Sequence, residues 1–166
     1  MTSHLEFEQW VPFPVEIVFG FFSNPANLPR IMPTASGTRL DRVNLVSPLG
    51  TARTDAAGVG TTIATSFRII PFLPFRARWI ARITEFERNH HFADIQDQGP
   101  FKSWHHRHEF LSETRQNVQG TLVRDVIDYE VGFGPLGSVA NSLFVRRQMK
   151  ATFDERQAKL PRLLQQ

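Results

Sequence analysis

The densest run of side chains able to do chemistry is Gly99-Pro100-Phe101-Lys102-Ser103-Trp104-His105-His106-Arg107-His108-Glu109-Phe110. In a strand, alternate residues share a face. Trp104, His106, His108 and Phe110 then point one way, and Ser103, His105, Arg107 and Glu109 the other. The first set has aromatic edges and the second carries charge, which turns the first inward and sends two imidazoles into the interior. Two further runs supply carboxylates of the same parity. Phe92, Asp94 and Gln96 share a face, as do Thr121, Val123, Asp125, Ile127 and Tyr129, and their apolar members turn Asp94, Asp125 and the single tyrosine inward. Buried carboxylates need partners, and histidines or an arginine are the candidates.

Three chemistries are open to His106 and His108. Each imidazole can hydrogen-bond Asp94, Asp125 or a backbone carbonyl as a structural element. The pair can orient the polar group of a mostly apolar ligand. Or it can hold a metal or move protons. His-x-His on a strand offers two metal positions, with Asp94 or Asp125 as a third, and a histidine beside a carboxylate shuttles protons near neutral pH. Spacing identifies no third ligand, so the sequence assigns no metal site. There is no cysteine, which excludes thiol catalysis, disulfides and cysteine-ligated zinc or iron–sulfur centres.

The elements that must position these residues follow from periodicity. Leu5, Phe7, Gln9 and Val11 alternate with Glu6, Glu8 and Trp10, as in a half-buried first strand. Pro14 suits a helix start, and Val15, Val18, Phe19 and Phe22 then keep one helical face. Asn24-Pro25 caps a second short helix through Leu28 and Ile31, kept short by Pro29 and Pro33. From about residue 36 the period becomes two. Strands are expected at Thr38–Ser47, Gly58–Ile70, Phe75–Glu87, near His91–Asp97, at Phe101–Ser112 and at Thr121–Val131, the last two joined by a hairpin around Asn117 and Gly120. Ala77, Trp79, Ala81 and Ile83 oppose Arg76, Arg78 and Arg82, a row expected to be solvated. After a breaker cluster at Gly132–Gly137, Ser138 is a good N-cap. Val139, Leu143, Met149, Phe153, Leu160 and Leu164 then form the stripe of a long helix. The fold class is α+β: an antiparallel meander of about seven strands, two short helices between strands 1 and 2, and a long C-terminal helix buried on the curved sheet. Such a sheet need not pack solid against its helix and can leave a cavity.

Composition fits one domain over residues 1–166. With 19 Lys plus Arg against 16 Asp plus Glu, the net charge is +3. The sequence pI near 9.9 reflects how few groups release a proton between neutrality and pH 10, so charge makes no case for nucleic acid. Fifteen Phe stand against three Trp and one Tyr, a demand for apolar surface without hydroxyls. Those at 7, 19, 22, 67, 86 and 153 suit core or ligand wall. The N-terminus has no secretory pattern, and no apolar run approaches the ~20 residues that span a bilayer; the expected location is cytoplasmic. Ile69–Phe75 could be a lid, an interface, a transient membrane contact or a plain loop. Arg146, Arg147, Lys150, Arg156, Lys159 and Arg162 suit a solvated helix face. Neither Gly58-Val59-Gly60 nor the Gly132–Gly137 cluster has the context of a nucleotide loop.

Taken together, Phe13-Pro14-Val15-Glu16-Ile17-Val18-Phe19 with Phe22-Ser23-Asn24-Pro25-Ala26-Asn27-Leu28, the Gly99–Phe110 segment, Phe92-x-Asp94, Asp125-x-Ile127-x-Tyr129 and Gly134-Pro135-Leu136-Gly137 resemble the SRPBCC (START-like, helix-grip) superfamily, in its polyketide cyclase/dehydrase and lipid-transport-like branch. The resemblance covers essentially the whole chain. It implies a deep hydrophobic cavity for a lipid, polyketide or aromatic metabolite, with no obligatory cofactor; the expected assembly is a monomer or homodimer, between which the sequence does not choose. It leaves catalysis open, because the superfamily holds binders, transporters, cyclases and hydrolases. On this reading Trp79, Phe92, Trp104, Phe110, Tyr129 and Phe153 line the cavity, and Asp94, His106, His108 and Asp125 are polar anchors. The alternative is a cyclase or dehydratase using His106 or His108 with Asp94 or Asp125 as acid–base. A third reading is a protein- or membrane-interaction module.

Overall fold

The computed structural model describes residues 2–48, 55–69, 74–131 and 141–165, with the side chains of 141 and 142 left aside. The centre of the Ile69–Phe75 segment, the Gly132–Gly137 cluster, Ser138 and Val139 lie outside the described residues.

The first strand, β1 (Ser3–Val11), leads into helix α1 (Val15–Ser23), with Pro14 at its N-cap. Asn24 caps the next turn, its Oδ1 accepting from the Ala26 N–H at 2.9 Å. A 3-10 turn at Pro25–Asn27 runs into α2 (Leu28–Ile31), and a second 3-10 turn follows at Thr34–Ser36. Strands β2 (Arg39–Asn44), β3 (Thr62–Phe67), β4 (Ala77–Glu87), β5 (His91–Gln98), β6 (Ser103–Arg115) and β7 (Val118–Glu130) complete one antiparallel sheet in the order β1-β7-β6-β5-β4-β3-β2. The chain ends in a π-helical turn at Asn141–Val145 and helix α3 (Arg146–Leu163). No helix among the described residues is long and apolar enough to cross a membrane.

The sheet curves because β4 slips register against β5 between Ile80 and Ala81 and again between Ile83 and Glu85, and such bulges bend a strand. Its concave face receives α3. Phe7 of β1 stacks on Phe153 with centroids 4.2 Å apart. Gln9 Nε2 donates to the Gln157 carbonyl at 2.8 Å, and Gln157 Nε2 returns a bond to the Glu8 carbonyl. The other side of α3 holds the short helical segment: Lys159 Nζ donates to the Met32 carbonyl and Glu155 accepts from the Thr34 N–H.

The aromatic core sits at one end of the concave face. Phe19 makes edge contacts with Phe86, Phe92 and Phe110 at centroid distances of 5.4, 6.1 and 5.3 Å.

Several expectations are corrected. The β6–β7 turn lies at Gln116-Asn117, both with positive φ, the backbone a two-residue hairpin requires. Gly120 is instead in β7, opposite Glu113, where a Cβ would come within 2.5 Å of the Val11 carbonyl and the Trp10 ring. Arg76 does not belong to a solvated row. It is half-buried, and its guanidinium donates to the Gly37 and Ser66 carbonyls at 2.8 and 2.7 Å. Leu143 does not join the buried stripe and is exposed. The inward stripe runs instead through Val145, Met149 and Phe153 at i, i+4 spacing, and Leu143, six residues before Met149, is off that phase.

Candidate functional site

His106 and His108 lie on β6, and the register brings a carboxylate to each from opposite sides. His106 pairs with Asp94 of β5, and His108 pairs with Asp125 of β7. All four turn to the concave face, as period-two parity requires. The two rings lie 3.9 Å apart between centroids.

Asp125 sits beneath both rings. Its Oδ1 lies 2.9 Å from His106 Nε2, a hydrogen bond, and 2.6 Å from His108 Nδ1, close but off the line a hydrogen bond requires. A bare lone pair this close to a carboxylate oxygen would be repelled, so the proton is assigned to His106 Nε2, which hydrogen-bonds Asp125, and to His108 Nδ1, which lies beside the same oxygen without a hydrogen bond. The remaining nitrogens face the other way. His106 Nδ1 lies 3.9 Å and His108 Nε2 4.0 Å from the same atom, Asp94 Oδ2. The result is a layered arrangement: Asp125, then two imidazoles, then Asp94.

Electrostatics separates the two carboxylates. Burial would raise the Asp125 pKa, but the His108 and His106 imidazoles and the Arg156 guanidinium outweigh it and hold Asp125 well below its usual range. Burial also dominates at Asp94 and raises its pKa against weaker opposition from His106, His105 and Trp104. His106 is pushed down to about 4, by burial first and by His108 second, against the pull of Asp125 and Asp94. It is therefore neutral at pH 7.

Above Asp94 and the histidines opens a cavity of about 530 Å³ between the sheet, the short helices and α3. Trp79, Phe92, Asp94, Trp104, His106, His108 and Phe153 lie on its wall. Phe110, Asp125 and Tyr129 do not, and parity alone could not separate them. Phe110 is capped by Phe19 and Phe22. Asp125 is roofed by the two imidazoles and Phe153's neighbour Arg156. Tyr129 is covered by Phe101 and Trp104. The buried Trp104 indole N–H is near enough to Asp94 to oppose the rise in its pKa but closes no hydrogen bond of full geometry.

Arg156 does not belong to a solvated helix face. Its guanidinium is buried, lies over the Phe153 ring at 4.5 Å and approaches Asp125 Oδ1 to 4.0 Å. The signal was available, because Phe153, Arg156 and Leu160 share the buried helical stripe. Lys159 also leaves the solvated face to bind the Met32 carbonyl, while Arg146, Arg147, Lys150 and Arg162 remain exposed. Short-helix residues such as Leu28, Ile31 and Met32 also wall the cavity.

The family model described as polyketide cyclase/dehydrase and lipid transport matches residues 11–156. The chain belongs to this family. Members of the polyketide cyclase/dehydrase and lipid-transport family need not share one activity, and no curated protein matches the sequence. Among solved structures, the chain is similar to TTHA0849 from Thermus thermophilus, with TM-score 0.69 and 16% identity over 98% of this chain and 97% of that one. It is similar to a START superfamily protein from Mycobacterium smegmatis, with TM-score 0.64 and 13% identity over 98% and 97%. It is also similar to norcoclaurine synthase from Thalictrum flavum, with TM-score 0.62 and 14% identity over 95% and 92%. At these identities the likeness establishes the START-like fold. Family and fold are consistent with binding of a hydrophobic ligand.

Proposed function

We infer that the protein binds a small, largely apolar molecule in the cavity between sheet and α3, as a single cytoplasmic ligand-binding domain. The observation that carries this reading is a space of about 530 Å³, within the range of small-molecule sites, with a largely apolar wall of aromatic and aliphatic side chains in which the buried His106 and His108 and the half-buried Asp94 form a polar cluster. Apolar burial supplies affinity at ~25 cal/mol per Å². The polar group of the ligand finds its orientation at the imidazoles and Asp94.

Intrinsic fluorescence gives a direct test. Trp79 and Trp104 pack edge to face at 4.9 Å on the wall, whereas Trp10 lies elsewhere and donates to the Glu113 carbonyl. Native mass spectrometry of freshly purified protein should show a bound small molecule. Returning the extract to stripped protein should quench emission saturably, with the change lost in Trp79→Phe/Trp104→Phe and retained in Trp10→Phe. Absence of saturable quenching by the extract and by a panel of fatty acids, sterols and aromatic polyketides would sink the reading.

One observation favours acid–base catalysis of the cyclase or dehydratase type. Two like groups whose environments push their pKa values apart mark acid and base roles, and here Asp94 is shifted up while Asp125 is held well below its usual range, with the neutral His106 between them. On this second reading Asp94 donates a proton and an imidazole accepts one. The extracted molecule, incubated with protein, would then be converted, and Asp94→Asn would abolish conversion while leaving quenching intact. Recovery of the molecule unchanged leaves the binder.

A further inference from the structure

The two imidazole nitrogens that face away from Asp125, together with Asp94, form a donor set. One ring nitrogen of each histidine and a carboxylate oxygen of Asp94 all lie within 4.8 Å of one another, and the nitrogens turned to Asp94 are His106 Nδ1 and His108 Nε2. Both nitrogen–oxygen separations, 3.9 and 4.0 Å, end on a single oxygen. Ligands at 2.0–2.2 Å from a common ion stand about 3–3.5 Å apart, so these gaps exceed a coordinated geometry by roughly half an ångström. The tautomers are already set. The protons on His106 Nε2 and His108 Nδ1 face Asp125, which leaves lone pairs on the atoms facing Asp94.

Asp125 has the place of an outer carboxylate behind metal-bound histidines, fixing tautomer and ring orientation. This gives its burial beneath both rings a reason that ligand orientation alone does not. A second, independent feature is the wall itself. All three donors border the cavity, so an ion held by them would keep further positions open toward it, as in sites with three protein ligands. Imidazole nitrogens with one carboxylate suit zinc or iron(II) and disfavour magnesium and calcium.

We propose that His106, His108 and Asp94 form a site for a divalent transition-metal ion, zinc being the best match, with Asp125 as the residue that orients the two histidines. The site stands on the donor geometry and holds whichever apolar molecule fills the cavity. A ligand with an oxygen able to coordinate would bind the open positions.

The test uses tag-free, EDTA-stripped and dialysed protein titrated with zinc chloride by calorimetry, and with cobalt(II) followed by visible absorption. The expected result is one ion per chain with micromolar or tighter affinity, and cobalt bands of a site containing nitrogen ligands. His108→Gln and Asp94→Asn should each weaken binding at least ~10-fold with unchanged far-ultraviolet circular dichroism, and Asp125→Asn by ~10–100-fold. Should His108→Gln fail to fold, Asp94→Asn decides alone. His105→Gln, on the outer face against Glu85, should leave affinity unchanged. Lack of a saturating one-to-one isotherm, wild-type affinity in Asp94→Asn, or loss of binding in His105→Gln overturns the proposal. Each of these outcomes is separable from failure of tryptophan quenching, which speaks to the apolar cavity.

Discussion

Replacing Asp125 with Ala should lower the free energy of unfolding by about 3–5 kcal/mol, the cost of removing one partner from a buried charge cluster. The carboxylate is buried, and one of its oxygens gathers His106 Nε2 at 2.9 Å, His108 Nδ1 at 2.6 Å and Arg156 Nη2 at 4.0 Å. Its loss leaves the buried Arg156 without that counter-charge and His106 without its hydrogen bond, and a buried donor left unsatisfied costs its full desolvation. Urea unfolding at neutral pH measures the effect. The cost should be strongly non-additive: His106→Phe should cost less in the Asp125→Ala background than alone, because the bond it removes is already gone. Asp94→Asn should be mild, since that carboxylate borders the cavity and its ion-pair distances begin at 3.9 Å. A loss below about 1 kcal/mol for Asp125→Ala would mean that the cluster is solvated rather than buried.

The same cluster shows what a sequence can and cannot convey. Inward parity of Trp104, His106, His108, Asp94 and Asp125 is local, because a strand's faces alternate whatever lies beside it. The element order was legible for the same reason. What parity cannot give is depth. Asp94 and Asp125 have identical phase, yet one borders the cavity and the other lies under the histidines; the difference comes from which strand flanks β6 on which side, and from where α3 lies. Phe110 and Tyr129 leave the wall because Phe19, Phe22, Phe101 and Trp104 cover them. Those contacts join residues far apart in the chain. Arg156 was misread because a cation on a helix is usually solvated, although its spacing from Phe153 and Leu160 marked the buried face. Leu143 is exposed because its spacing of six residues from Met149 turns it well away from the Val145, Met149 and Phe153 stripe, a mismatch that strict 3.6-residue phase shows.

Mild acidification should destabilise the metal-free protein. His106 has an ordinary value of 6.5 and is pushed down to about 4 when folded. Between these values the unfolded chain binds a proton that the folded chain refuses, so stability rises with pH across this window. The stabilisation is complete above the unfolded value and is lost as pH falls toward the folded one. From about pH 7 to about pH 4.5 the loss is on the order of 2 kcal/mol. The groups facing the ring are Asp125, His108, Asp94 and Arg156, and they act in different directions. Asp125 is lowered, so its contribution is present above its unfolded value of 3.8 and lost only in stronger acid. Asp94 is raised; its protonated form is favoured by folding, so its contribution is present in acid and lost as pH rises through the elevated value. It therefore opposes His106 in part. Urea midpoints in EDTA at neutral and mildly acidic pH should show the wild type weakening with acid. His106→Gln should flatten the curve and Asp94→Asn should steepen it. A curve already flat in the wild type, or unchanged by His106→Gln, would show that folding does not lower the His106 pKa; a stability that instead rose on acidification from neutral pH, and did so only with His106 present, would show that the ring carries its proton at pH 7, with both nitrogens donors.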